Sequence, residues 1–175
     1  MPVDIDLTIE SDPVPSMTTL VRGGLRIRVD DQRINAYTRE TTEAWEKDWY
    51  PEYVGEMPLI TLKELFQTAR AMLNGDISLY ESHRSILPET SDAFVCEYLG
   101  GKHLRIAFQT PGRDTNLATP QAACGTVIPV DSFATELVDC GEEVEDTLDR
   151  FGLNDSDAES FRTHLQELQI AVDSQ

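Results

Sequence analysis

The chain has 175 residues, 40% apolar and 26% charged, and its 32 Asp and Glu against 14 Lys and Arg give a net charge of −18. A chain of this size buries roughly 70% of the surface its unfolded form exposes, so one domain can hold a core without staples, and neither disorder nor a two-domain layout is expected. No apolar run reaches the ~18 residues of a membrane span, and the first residues are acidic and alternating rather than basic then apolar, so neither a membrane segment nor a secretory leader is expected.

Val3, Ile5, Leu7 and Ile9 alternate with Asp4, Asp6, Thr8 and Glu10, the period-two pattern of a strand with one wet face. Pro13 and Pro15 break it, after which Leu25, Ile27 and Val29 alternate with Arg26, Arg28 and Asp30 as a second strand. Asp30 and Asp31 mark a turn, and residues 33–39, with Ile34 and Tyr37, return as a hairpin partner. Residues 41–58 show no clean period. Thr61 and Glu64 have the spacing of a capping box, in which the hydroxyl caps a free amide and the carboxylate reaches back, so a helix is expected to begin there. Its stripe runs through Leu62, Leu65, Phe66, Ala69, Met72 and Leu73 to an Asn74, Gly75 stop.

Residues 77–87 read as a strand closed by Pro88, and residues 93–99 and 102–110 as a hairpin around Gly100 and Gly101. A two-residue Gly-Gly loop pairs Leu99 with Lys102. It puts Ala93, Val95, Leu99, Leu104, Ile106 and Phe108 on the core face and Phe94, Cys96, Tyr98, His103, Arg105 and Ala107 on the other. That second face is amphipathic: either a helix covers it or it lines a recognition surface. Residues 126–130 form a last short strand, with Pro129 arguing for an edge. Phe133, Leu137, Cys140, Val144, Leu148 and Phe151 make one helical stripe from an Asp131 cap to a Gly152 stop, with Gly141 weakening its middle. Ser156 and Glu159 form another capping box, and Ala158, Phe161, Leu165, Leu168 and Val172 carry a second helix, antiparallel to the first. Strands, hairpins and helices without βαβ alternation give an α+β fold: a mainly antiparallel sheet of about five to seven strands with one central helix and two C-terminal helices packed on it. The domain is single over 1–175: strand-rich over 1–58, a helix over 59–75, hairpins over 76–110, and a strand and helix pair over 124–173.

The chemistry-bearing motifs are absent: no GxSxG elbow, GxGxxG, phosphate-loop lysine or HExxH. Gly100, Gly101 and Lys102 are better read as a turn than as a phosphate loop, and Asn154 to Asp157 as a helix cap than as a calcium loop. Cys96, Cys124 and Cys140 have no CxxC spacing, and no Cys or His pair has zinc-ligand spacing, so no disulfide framework, metal or cofactor is expected. No catalytic residue is assigned. His103 beside Tyr98 and Arg105 has the ingredients for proton transfer or anion binding, against the plainer reading of an exposed strand histidine. Trp45, Trp49, Tyr50 and Tyr53 put four of 13 aromatic residues within nine positions. They read as a contact loop, because Trp and Tyr dominate binding hot spots, or as pins for an irregular segment. Fourteen scattered positive charges draw no basic groove, so nucleic acid is not an expected partner.

Eleven of the 14 basic residues are Arg and three are Lys, and residues 131–175 hold 13 acidic and two basic residues. In molar salt the Debye length falls to about 3 Å, and what carboxylates still supply is tightly held hydration. The composition resembles that of cytosolic proteins from salt-accumulating haloarchaea. A strand-rich front half, a central amphipathic helix, the Gly-Gly hairpin from Phe94 to Phe108 and a helix opening on Val130, Asp131, Ser132 and Phe133 resemble small uncharacterised α+β proteins of the toxin-immunity kind. The resemblance spans about residues 59–148, carries no catalytic residue, and implies binding. The expectation is a non-enzymatic cytoplasmic protein-binding module of a salt-adapted organism, its partner another protein or a second copy. The alternatives are an enzyme acting on a small anionic substrate through His103 and Arg105, and a structural subunit of an obligate oligomer.

Overall fold

The alternating N-terminal pattern forms β1 (Val3–Ile9), which pairs antiparallel with β2 (Gly23–Val29) in a computed structural model that describes residues 2–30, 32–35, 52–88, 90–110 and 124–175. Val3 lies opposite Val29, Ile5 opposite Ile27 and Leu7 opposite Leu25, so the apolar side chains of both strands share one face and Asp4, Asp6, Arg26 and Arg28 share the other. The expected return strand is reduced to β3 (Gln32–Arg33), and residues 36–39, with Tyr37, lie outside the described residues. The rest of that edge of β2 is closed differently. The buried Asn35 amide accepts from Ile27 N–H at 2.6 Å and donates to Leu25 O at 3.0 Å, and Val54 exchanges two backbone bonds with Leu25. Gly23 is required here, because a Cβ would run into the Thr8 carbonyl.

A second sheet has the order β4 (Ser82–Ile86), β5 (Ala93–Gly100), β6 (His103–Gln109), β7 (Thr126–Pro129), all antiparallel. The single sheet expected from the sequence is therefore two, of three and four strands. α1 (Pro58–Asn74) separates them, touching β2 on one side and β4 on the other. β4 is also shorter than residues 77–87, because Tyr80 takes a left-handed conformation (φ 65°) and the chain turns before Ser82.

The hairpin facing differs from expectation. Gly101 (φ 57°) and Lys102 (φ 63°) form the loop, Gly100 pairs with His103, and an irregularity between Tyr98 and Gly100 shifts the register by one. Phe94, Cys96 and Tyr98 thus share the core face with Leu104, Ile106 and Phe108, while Ala93, Val95 and Glu97 face out with Arg105 and Ala107. A one-residue slip turns every side chain of β5 over. The Phe94 and Phe108 rings, opposite each other, sit 5.1 Å apart at 49°.

α1 begins one turn before Thr61, with Pro58 at its first position, where a missing N–H costs nothing. Thr61 and Glu64 are not its capping box. The Thr61 hydroxyl reaches the Ile86 carbonyl at 3.5 Å, and Glu64 accepts from Ile86 N–H at 3.1 Å, so α1 holds both backbone groups of the last residue of β4. α2 (Val130–Phe151) closes on Gly152 in the left-handed conformation (φ 70°). α3 (Ser156–Asp173) is capped by Asp155 rather than Ser156: its carboxylate accepts from Asp157 N–H and Ala158 N–H, and from Thr18 N–H at 2.7 Å. α1, α2 and α3 pack on one another, and α2 also covers the apolar face of β1. Their closest approach is at Gly141, where a Cβ would lie 2.6 Å from Leu165 Cδ1 and 2.9 Å from Phe66 Cζ. Phe66 packs its ring 5.4 Å from Phe161 in the same cluster. Among the described residues no helix is long and apolar enough to cross a membrane.

Candidate interaction surfaces

Trp45, Trp49 and Tyr50 lie outside the described residues, and Tyr53 alone of the aromatic cluster is placed. Val54 is bonded to Leu25, so the Tyr53 side chain lies beside the polar face of the first sheet. Its hydroxyl donates to Asp6 Oδ2 at 2.7 Å, and the Arg26 guanidinium stands 4.8 Å from its ring centre. Arg26 also pairs with Asp6 at 2.6 Å and with Glu52, and Arg28 with Asp4 at 2.7 Å. Burial, then the bond to Asp6, pushes the Tyr53 phenol up to about 12, so it is a fixed donor at neutral pH. Each charge of this cluster is answered by a neighbour, and Tyr53 acts as a pin holding residues 52–54 to the sheet.

Tyr98, His103 and Arg105 do not form one face. Tyr98 is half-buried against the core, beside Met72, Leu73 and Lys102. His103 is exposed at the hairpin turn, its Nδ1 2.8 Å from the Gly101 carbonyl. Arg105 lies on the opposite side of the sheet from Tyr98 and pairs with Glu97. The anion-binding constellation is therefore split by the register shift. The outward side of this sheet instead carries a shallow depression of about 380 Å³ lined by Ser82, Val95, Glu97, Arg105, Ala107 and Cys124.

Two thiols are spent on packing. Burial pushes Cys96 up to about 12, and burial together with the nearby Asp6 carboxylate raises Cys140 well above the ordinary thiol range, so neither is a ready thiolate. Cys124 is exposed. Among the described residues no three His, Cys, Asp or Glu side chains stand together as a metal site.

A groove of about 510 Å³ between β1 and α2 is a feature the sequence reading missed. Leu7 and Ile9 form one wall, Cys140, Val144, Thr147 and Phe151 the other, and Val14 closes one end. Its lining includes β1 but no residue of β2, which puts the opening on the outer side of β1. Glu143 and Arg150 are the charged residues of its lining, Arg150 bonding Thr147 at 2.8 Å, and along the same helix beyond them stand Asp146 and Asp149, the latter paired with Arg162 at 2.7 Å. Val14, Met17 and Leu20 continue the apolar character onto the following loop, each about half exposed. Of these three, Val14 lines the groove, and single exposed apolar residues are otherwise ordinary. Leu7, Ile9, Cys140, Val144 and Phe151 of the groove belong to strand and helix stripes read as core, and the incomplete burial of Leu7 and Ile9 is what sets the place apart. No protein-family model, no curated protein and no solved structure matches this chain.

Proposed function

We propose that this chain is a non-enzymatic, cytoplasmic protein-binding module of a salt-adapted organism, immunity- or regulator-like in kind. The observation that carries the reading is the groove between β1 and α2, an open cleft of mixed lining in which Leu7, Ile9, Val144 and Phe151 stand beside Ser11, Glu143, Thr147 and Arg150. Apolar area left open at a pre-formed cleft is what a partner's side chains bury on association. The alternative of an enzyme acting through His103 and Arg105 is weakened, since the first is engaged with a turn carbonyl and the second with Glu97. Salt adaptation is supported by the net charge of −18, whose self-repulsion destabilises the compact state at low ionic strength and is screened in molar salt.

The test is affinity capture of the tagged full chain from its native lysate in molar KCl, with light scattering on the eluate and thermal unfolding across a salt series. A stoichiometric protein partner and a Tm that climbs with KCl are the expected results. A lone monomer whose Tm instead responds to a small metabolite would overturn the reading in favour of an enzyme.

A further inference from the structure

Every sheet leaves two edges, and three of the four here are blunted. β7 ends in Pro129, which has no N–H to offer. β4 has both backbone groups of Ile86 taken by Thr61 and Glu64, and what remains of its edge is short and polar, at the exposed Ser82 and Arg84. The far side of β2 is closed by β3, Asn35 and Val54. β1 is different. Asp30 N–H donates to Pro2 O at 2.8 Å and Glu10 N–H to Arg22 O at 2.9 Å, in unbroken register with the strand between. The even-numbered residues of β1 therefore make the hydrogen-bonded pairs with β2, and the odd-numbered ones turn N–H and C=O to the other side. No strand pairs with that side among the described residues. Val3 and Ile5 are buried there, but Leu7 and Ile9 are half-buried and wall the groove.

We propose that β1 accepts an additional strand from a partner protein: an extended segment, apolar at alternate positions with Lys or Arg between them, lying between β1 and α2. This rests on the protein-binding reading and names its site and the partner's chemistry. The open N–H and C=O groups of Leu7 and Ile9 supply main-chain bonds, as in strand addition generally, and the period-two spacing of an extended chain delivers every second side chain to the groove. The charge between those positions follows from the helix beside the groove, where Glu143 and Asp146 outnumber Arg150, Asp149 being paired with Arg162.

The probe is a short fluorescent peptide of alternating valine and lysine, titrated against the full chain in molar KCl, with its valine–glutamate twin as control. Binding by the lysine peptide alone, with slowed hydrogen exchange at the Leu7 and Ile9 amides, is expected. Ile9→Pro removes an outward N–H without touching the ladder to β2, and Thr147→Trp fills the groove from a half-exposed helical position; each should weaken binding at least about tenfold, equivalent to about 1.4 kcal/mol. Should Ile9→Pro fail to fold, Thr147→Trp decides alone. No binding, binding without protection of the two amides, or binding undiminished in the folded variants would overturn the proposal. So would a homodimer in which the same amides are protected, which assigns the edge to a second copy. A natural partner captured equally by Thr147→Trp would refute strand addition while leaving the protein-binding reading standing; no natural partner for the unaltered chain would remove that reading itself.

Discussion

Gly141→Ala sets two opposed effects against each other at one atom. Alanine is favoured over glycine in a helix interior by about 1 kcal/mol, so on an exposed face the change would stabilise α2. At this position the new methyl lies 2.6 Å and 3.4 Å from the two Leu165 methyls and 2.9 Å from Phe66 Cζ. Neither neighbour has room to retreat: both are fully buried, and Phe66 is backed by Phe161 at 5.4 Å. Overpacking of this kind costs about 1–3 kcal/mol, so the net effect is a loss of up to about 2 kcal/mol. For a chain of this length each kcal/mol moves Tm by about 2–4 °C, so the expected fall is up to about 8 °C. Thermal and urea unfolding in molar KCl measure it, with the urea slope unchanged. The coupling test is Leu165→Ala, which removes the obstructing methyls and should turn Gly141→Ala from costly to neutral or favourable. A higher Tm for the single variant, or additive effects in the pair, would refute the claim that three helices meet on this glycine.

Tyr53 should ionise well above the ordinary phenol value in an ultraviolet titration. Its folded pKa lies above the ordinary value of about 10, so the stabilisation is whole below that pH and fades as pH rises through about 12; Tyr53→Phe removes a phase near pH 12, and an ultraviolet titration unchanged in that region by Tyr53→Phe would contradict the pinning role. Asp155 moves the other way: its bonds from Thr18 and Ala158 N–H hold it below the usual carboxylate range. Its contribution is therefore present above about pH 3.9 and lost as pH falls through the lower folded value, and Asp155→Ala should flatten the acid limb of the stability curve. Among the three thiols, Cys124 should react alone with an aromatic disulfide reagent under native conditions, and Cys96 and Cys140 only on unfolding. Labelling of Cys140 in the native state would mean that the wall of the groove opens.

The parts of the fold that a periodic pattern encodes were legible. β1, β2 and the stripes of α2 and α3 are where the alternation and the three-four spacing place them, because burial on one face selects those patterns. The hairpin register was not. Three consecutive residues, Gly100, Gly101 and Lys102, all adopt positive φ, and two glycines in the sequence do not say that the turn uses the second of them with the lysine. That ambiguity is one residue wide, yet it moves Tyr98 to the core side and separates it from Arg105. Thr61 and Glu64 had the right spacing for a cap, but the same hydroxyl and carboxylate serve a strand end from the flank of a helix equally well. For the site, Tyr53 is placed and acts as a pin, while the groove could not be read at all. Its apolar walls, Leu7 and Ile9 against Cys140, Val144 and Phe151, lie on periodic elements, and only the distance between β1 and α2 decides whether they close on each other or leave a cleft.

The bond from Thr18 N–H to Asp155 joins residues 137 positions apart, and α2 reaches β1 across a comparable stretch of chain. A ribosome releases the N-terminal strands long before the helices that cover their apolar face. Until then β1 and β2 form a ribbon with one side uncovered, the sort of assembly that is marginal in water by itself. Closing so long a loop places folding among the slow, non-local cases, and the cleft between β1 and α2 is completed only in the last steps. Under the strand-addition proposal, recognition through that cleft is thereby restricted to chains that have finished folding, and a partner captured there would report a native molecule and not a nascent one.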